Sequence, residues 1–403
     1  MLNLPVDLNI HRRRLLGAFF MTLVVGVFFL GLFLTSRPAI QRLISPIPNH
    51  TKVAQKEVFG FAPYWTLSKL DNIDWNTLTT FAYFSLPVGA DGTIDKTSYE
   101  WTNFQGKKLS DLFAKAQDHK VKRVVTLTQM NKADVETFLD NPAAWDKIAQ
   151  ESADILNGKH LDGVNIDFEY VPSNDKLKGQ FTNFVDSYSK QLRAKTQDPY
   201  ITVSVLASSV RFNKIYDIGK LSKITDGIFM MAYDFYYPGS ESAGPSAPLY
   251  GYNGGKGPYW YDVSTAVDDF LKVADSSKII MGVPYYGWNY PTSSPTPNAE
   301  KVGLRAAAVT NAKADDNKLL SVTPVGGWDE AAQVSWRSYW EDGQWHVVYM
   351  EDEKSLSLKY QFARSRNLGG VGIWALGFDS NISNFWPVLS ANFGGNGLAM
   401  NPN

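Results

Sequence analysis

The chain has 403 residues, 44% of them hydrophobic and 20% charged, enough for one large core or two ordinary ones and too apolar for a disordered body. A formal net charge of −1 argues against a nucleic-acid partner, which draws on a basic excess. The absence of cysteine excludes disulfide frameworks, thiolate nucleophiles and cysteine zinc sites.

Residues 1–14 end in Arg12, Arg13 and Arg14. An uncharged apolar run comes next, from Leu15 to Ser36. Its length matches the roughly 20 residues of a bilayer-spanning helix. The arginines before it place residues 1–14 in the cytoplasm by the positive-inside rule and the rest outside. The expectation is a single-pass protein of the cell membrane with an extracytoplasmic domain. The alternative is secretion after cleavage of a signal peptide, whose apolar core is normally shorter and ends in small residues. Residues 37–56 are polar, carry Pro38, Pro46 and Pro48, and read as a linker.

From residue 57 to 390 short apolar runs alternate with helical patterns. The runs fall at 58–65, 78–85, 121–129, 163–169, 201–208, 227–234, 278–287 and 369–377, and are rich in Val, Ile, Phe and Tyr, as buried parallel strands are. Helical periodicity appears at 108–120, 143–159, 177–195, 264–275 and 355–367. Eight such strands predict an α/β fold, a (β/α)8 TIM barrel. The spacing breaks between about 288 and 352, where VSWRSYW and QWHVVYM look strand-like. This predicts a small α+β insertion before the last helix and strand, at the catalytic face. Residues 391–403 read as a C-terminal tail.

The chemistry centres on LDGVNIDFEY (161–170). In a strand Val164, Ile166 and Phe168 point to the helices, and Asn165, Asp167 and Glu169 point into the barrel. Buried polar groups cost several kcal/mol each unless partnered. Two carboxylates at i and i+2 repel, so one should hold its proton more tightly. Glu169, at the end of the strand, could then donate a proton to a glycosidic oxygen. The bland alternative is an edge strand with a wet polar face. Met230 and Met231 read as core packing rather than ligands. Trp288, Trp328, Trp336, Trp340 and Trp345 lie in or beside the insertion, where some could line a sugar groove. The five histidines (11, 50, 119, 160, 346) show no ligand spacing, so no metal and no cofactor is expected.

These blocks resemble glycoside hydrolase family 18, the chitinase-like barrels, whose signature is D-G-x-D-x-D-x-E. Asp162, Gly163, Asn165, Asp167 and Glu169 occupy those slots. MAYD (231–234), SAPLY (246–250), IIMGVPYYGW (279–288) and GGVGIWALGFD (369–379) match further family blocks in order. The Asn165 form is closest to the bacterial spore-cortex and cell-wall N-acetylglucosaminidase branch. The resemblance implies substrate-assisted, retaining hydrolysis of β-1,4-linked N-acetylglucosamine polymers, peptidoglycan or chitin. It makes Glu169 the acid and base and Asp167 the group that orients the acetamido N–H. It has Tyr233 bind the acetamido oxygen, Asp234 hold the sugar and Trp374 stack beneath it. It also implies Tyr285 as a substrate contact and a hydrogen bond from Asn165 to Asp167. The alternative is a non-catalytic, carbohydrate-binding barrel. A monomer is expected.

Overall fold

The computed structural model describes residues 55–171, 174–212, 214–303, 305–310, 325–379 and 385–394. The predicted cytoplasmic segment, the membrane helix over 15–36 and nearly all of the linker lie outside the described residues. Among the described residues no helix is long and apolar enough to cross a membrane. The chain divides into two units, Met1–Gln55 and Lys56–Asn403, and the barrel with its insertion belongs to the second.

Eight parallel strands close into a barrel. In chain order they are β1 (Glu57–Pro63), β2 (Thr80–Pro87), β3 (Lys122–Gln129), β4 (Gly163–Phe168), β5 (Tyr200–Leu206), β6 (Gly227–Met231) and β7 (Ile279–Pro284), with the eighth, Gly370–Trp374, pairing between β7 and β1. The runs are mostly apolar because both faces are covered, the outer by helices and the inner by barrel side chains, with polar residues such as Asn165, Asp167, Thr202 and Ser204 confined to the interior. On β4 the outward row is Val164, Ile166 and Phe168. Phe168 lies 5.2 Å from Phe138 and 5.6 Å from Phe184, ring centre to ring centre, and is fully buried. Truncating such a ring to Ala costs about 3–5 kcal/mol.

The helix Asp175–Lys195, which carries Phe184, starts where the Asn174 side chain accepts a hydrogen bond from the Leu177 N–H. It ends with Arg193 and Lys195 near its carboxyl terminus, where cations suit the helix dipole. The predicted helices at 143–159, 177–195 and 355–367 appear as Pro142–Lys159, Asp175–Lys195 and Glu353–Ser365. Shorter helices such as Lys132–Leu139 and Ile218–Ile224 are too brief to show a period in the sequence. The last helix, Phe385–Phe393, runs into the predicted tail.

Inside the barrel, Phe59, Phe61, Phe229 and Phe84 form an aromatic cluster of tilted and edge-to-face rings, with Trp374 against Phe61 and Phe84. Close packing there requires glycine at two places. A Cβ on Gly372 would lie 2.1 Å from the Phe229 ring, and one on Gly282 would lie 2.9 Å from the Tyr233 ring.

Between β7 and the last barrel strand the chain leaves the barrel. It forms β8 (Tyr286–Thr292), β9 (Ala307–Thr310), β10 (Val325–Asp329), β11 (Val334–Glu341) and β12 (Gln344–Met350), and the last barrel strand is therefore β13 (Gly370–Trp374). The five make an antiparallel sheet in the order β10-β11-β12-β8-β9. The two strand-like runs read from the sequence are β11 and β12. The described residues of the insertion are strands and turns, and residues 311–324, within the predicted α+β segment, lie outside the described residues.

Candidate active site

The carboxyl end of β4 is where the barrel opens. β3 and β4 stay paired through Gln129 and Phe168, and the Glu169 N–H extends that ladder to the Gln129 carbonyl at 3.0 Å. β4 and β5 part earlier, after Ile166 and Val203. The Phe168 carbonyl, freed of its strand partner, accepts instead from the buried Tyr216 hydroxyl at 2.7 Å. The gap lets Asp167, Glu169 and Ser204 face one pocket of about 300 Å³. Tyr233, Asp234, Trp374, Met130 and Met231 complete much of its lining, together with Phe61 and Phe84. Phe84 enters through an irregularity in the β2–β3 register between Tyr83 and Leu86, a device common beside active sites.

Asp167 is buried, and its Oδ1 has no hydrogen-bond partner among the described residues. Leaving such an atom unpaired costs about 1–3 kcal/mol, more when charged. Burial pushes the Asp167 carboxyl well above the usual carboxylate range, and the charge on Glu169 pushes the same way. Glu169, half-buried, is also raised, first by burial and then by the charge of Asp234. Adjacent carboxyls in a weakly polar pocket do not ionise together cheaply, so the pair keeps a proton at pH values where solvated carboxylates have lost theirs. The Tyr233 hydroxyl is held neutral by burial and by the negative charge of Asp167, and so remains a donor.

Asp234 comes after β6 with φ of 57°, in the left-handed region that Asp tolerates better than most residues. The residue is open toward the pocket, but its Oδ1 is enclosed by donors. It accepts from Ser246 Oγ at 3.2 Å, Trp288 Nε1 at 3.2 Å and the Tyr286 hydroxyl. Burial raises its pKa, while these three hydrogen bonds work in the opposite direction. Ser246 also accepts from the Asp234 N–H at 3.0 Å, which fixes the strained turn.

Two residue assignments change. Asn165 is fully buried but does not bond Asp167. Its Nδ2 donates to Ser204 Oγ at 2.9 Å, and its Oδ1 accepts from Thr202 Oγ1 at 2.9 Å. Both partners come from β5, which lies closer than a second position along the same strand. Tyr285 is absent from the pocket. It is fully buried, with its hydroxyl 3.0 Å from that of Tyr360 and its ring against Phe385. The next residue, Tyr286, reaches the site instead. Of the tryptophans considered, Trp288 touches a pocket residue, whereas Trp328 is covered by the Lys354 ammonium at 3.5 Å. Met230 packs in the core as expected, and Met231 lines the pocket. Ser246 lies in a motif visible in the sequence, but nothing in its spacing discloses the bond to Asp234. Among the described residues no cluster of His, Asp or Glu could hold a metal ion.

A closed (β/α)8 barrel with carboxyl groups converging at the carboxyl ends of its strands is an enzyme architecture. Residues 57–379 match Glycosyl hydrolases family 18, and the chain belongs to that family. A Bacillus subtilis protein, YdhD, that carries the name of a sporulation-specific glycosylase is 28% identical over 247 residues. That match covers 60% of this chain and 53% of YdhD, about half of that protein's length. The solved spore cortex-lytic enzyme SleL of Bacillus megaterium shares the fold at 19% identity, with a TM-score of 0.66 over 84% of this chain and 74% of SleL. The Group IV chitinase of Ostrinia furnacalis in complex with allosamidin shares it at 22% identity, with a TM-score of 0.72 over 84% of this chain and 97% of the chitinase.

Proposed function

We propose that the chain is a retaining hydrolase of β-1,4-linked N-acetylglucosamine glycans in which the substrate supplies the nucleophile. The observation that carries this reading is that buried Asp167 and half-buried Glu169 face one pocket with Tyr233 and Trp374. A sugar ring on Trp374 presents its 2-acetamido group to Asp167 and Tyr233. The unpartnered Oδ1 of Asp167 accepts the acetamido N–H, and Tyr233 donates to the acetamido oxygen. That oxygen attacks the anomeric carbon as the glycosidic bond breaks. The leaving oxygen takes the proton of Glu169, and the cation formed is an oxazolinium beside the Asp167 charge. Water then gives a proton back to Glu169 and its oxygen opens the ring at the same carbon. Two displacements restore the β configuration.

Asp234 is the other carboxylate able to act as a nucleophile. Three donors on its Oδ1 damp its reactivity and suit it to holding a sugar hydroxyl. The names of YdhD and SleL favour cell-wall peptidoglycan over chitin. The apolar run over 15–36 favours an extracytoplasmic domain anchored at the membrane, and fractionation of the full chain tests that placement.

Proton NMR of the first-formed product tests the mechanism. A β-anomer is expected, and an initial α-anomer overturns it. A substrate without the N-acetyl group should not turn over. A thiazoline that mimics the oxazolinium should bind more tightly than substrate. Turnover of the de-acetylated substrate would point to Asp234 as nucleophile. Binding without product release would make the chain a carbohydrate-binding barrel. Mass spectrometry of digests of peptidoglycan and chitin separates the two polymers.

A further inference from the structure

We infer that Tyr216 is a positioning residue for the general acid, its hydroxyl fixing the peptide from which Glu169 projects. This deepens the hydrolase reading and rests on it.

The need for such a residue comes from the way the pocket opens. In a trans peptide the carbonyl of one residue and the N–H of the next point to opposite sides of a strand. The peptide between Phe168 and Glu169 gives its N–H to β3, at the Gln129 carbonyl 3.0 Å away, and so turns its own carbonyl toward β5. No strand bond meets it there, because the β4–β5 ladder ends at Ile166 and Val203. The parting that lets Asp167 and Ser204 face the pocket thus removes a ladder bond at the residue before the acid.

The Tyr216 hydroxyl stands in for the lost strand. It donates to the Phe168 carbonyl at 2.7 Å. Tyr216 lies on the connection between β5 and the helix Ile218–Ile224 and is 1% exposed. Its ring meets Phe181 of the helix Asp175–Lys195 edge-on at 5.4 Å, which gives the hydroxyl a fixed direction. Burial pushes that hydroxyl well above its usual pKa range, and the charges of Glu169 and Asp167 push the same way, while the Tyr170 N–H works against them. The group therefore stays protonated and keeps donating.

The chain after the acid is held as well. Lys214, on the same connection, donates from Nζ to the Val171 carbonyl at 2.7 Å. The Tyr170 hydroxyl donates to Glu136 Oε1, on the helix Lys132–Leu139, at 2.5 Å. Glu169 itself faces the pocket, so its aim is set by its backbone. Rotation of the one peptide that Tyr216 holds would swing the carboxyl off the line to the leaving oxygen, and a misplacement of about 1 Å can cost on the order of 10²-fold in rate.

The test compares two leaving groups by kcat/KM, which reports the step that breaks the bond to the leaving oxygen. Chitotetraose departs through a sugar oxygen that needs the proton of Glu169. The dinitrophenyl glycoside of diacetylchitobiose releases a phenolate, which departs without one. Tyr216→Phe, which keeps the ring, should lower kcat/KM for chitotetraose by about ten- to thirtyfold and that for the dinitrophenyl glycoside by less than about twofold. The second value also shows that the variant has folded. Tyr83→Phe is the control. Its hydroxyl likewise donates to a backbone carbonyl, that of Glu100 at 2.6 Å, between β2 and the helix Tyr99–Phe104. It should leave both values unchanged at a similar loss of Tm. If Tyr216→Phe lowers both values equally, or neither, the assignment is overturned. Wild type inactive on both substrates overturns the hydrolase reading instead, so the two failures are distinguishable.

Discussion

The barrel and the insertion sheet are built from different logic, and the site draws on them unequally. Barrel strands are parallel and buried on both faces, and their side chains are fixed by neighbours around a closed ring. The insertion is antiparallel and ends in the strands β10 and β9. β10 carries the exposed Val325, and β11 carries the exposed Trp340 near its end. The barrel supplies Asp167, Glu169, Tyr233 and Trp374. The insertion supplies Tyr286 and Trp288, which hydrogen-bond Asp234. In the proposed reaction the Asp167–Glu169 pair takes the fixed geometry of a closed core, whereas Asp234, proposed to hold substrate, takes support from an appended sheet.

The comparison predicts a graded series of losses. Glu169→Gln should lower kcat by about 10³-fold or more, since general acid–base catalysis contributes about 10²–10⁴-fold and no other group in the pocket is placed to replace it. Oligosaccharide binding, measured by calorimetry, should persist. Asp167→Asn should lower kcat by about 10²–10³-fold, the typical effect of removing one well-placed electrostatic partner. Activity within threefold of wild type would show that the barrel's charge pair is not the centre of the chemistry.

The insertion's contribution is smaller. Tyr286→Phe removes one of three donors to Asp234 and should lower kcat/KM by about tenfold, the weight of a hydrogen bond to a charged group. Tyr285→Phe, its neighbour, should leave kcat/KM unchanged. It should cost about 1 kcal/mol of stability through the lost Tyr360 contact, read from denaturant midpoints. If both variants behaved alike, the division between the two residues would fail.

The smallest effect concerns stability against pH. Burial raises the folded-state pKa of Asp167 and Glu169. Between the ordinary carboxylate pKa of about 4 and those raised values, the folded chain binds more protons than the unfolded one. The pair's contribution is therefore most favourable below the ordinary pKa and declines as pH rises through the window. Glu169→Gln, which cannot ionise, should raise Tm by about 2 °C at neutral pH, and the gain should vanish in acid. A variant less stable than wild type at neutral pH would contradict the buried, repelling pair.

Much of the barrel and the inward placing of Asp167 and Glu169 was legible in the chain before any coordinates. Period-two alternation on residues 163–169 sent Val164, Ile166 and Phe168 to the helices and Asp167 and Glu169 inward, because side-chain direction in a strand is a local property. The eight apolar runs announced a doubly covered parallel sheet for the same reason. Non-local pairing decided the rest. Asn165 found Thr202 and Ser204 because β5 lies beside β4 in a register that no single strand encodes. Whether Tyr285 or Tyr286 faced the site depended on where the chain left β7 for β8, since one residue of shift sends a side chain to the opposite face. Ser246 and Trp288 reached Asp234 from 12 and 54 residues away. The residue types that chemistry demands are written along the chain, but their partners are chosen by closure of the barrel and the path of the insertion.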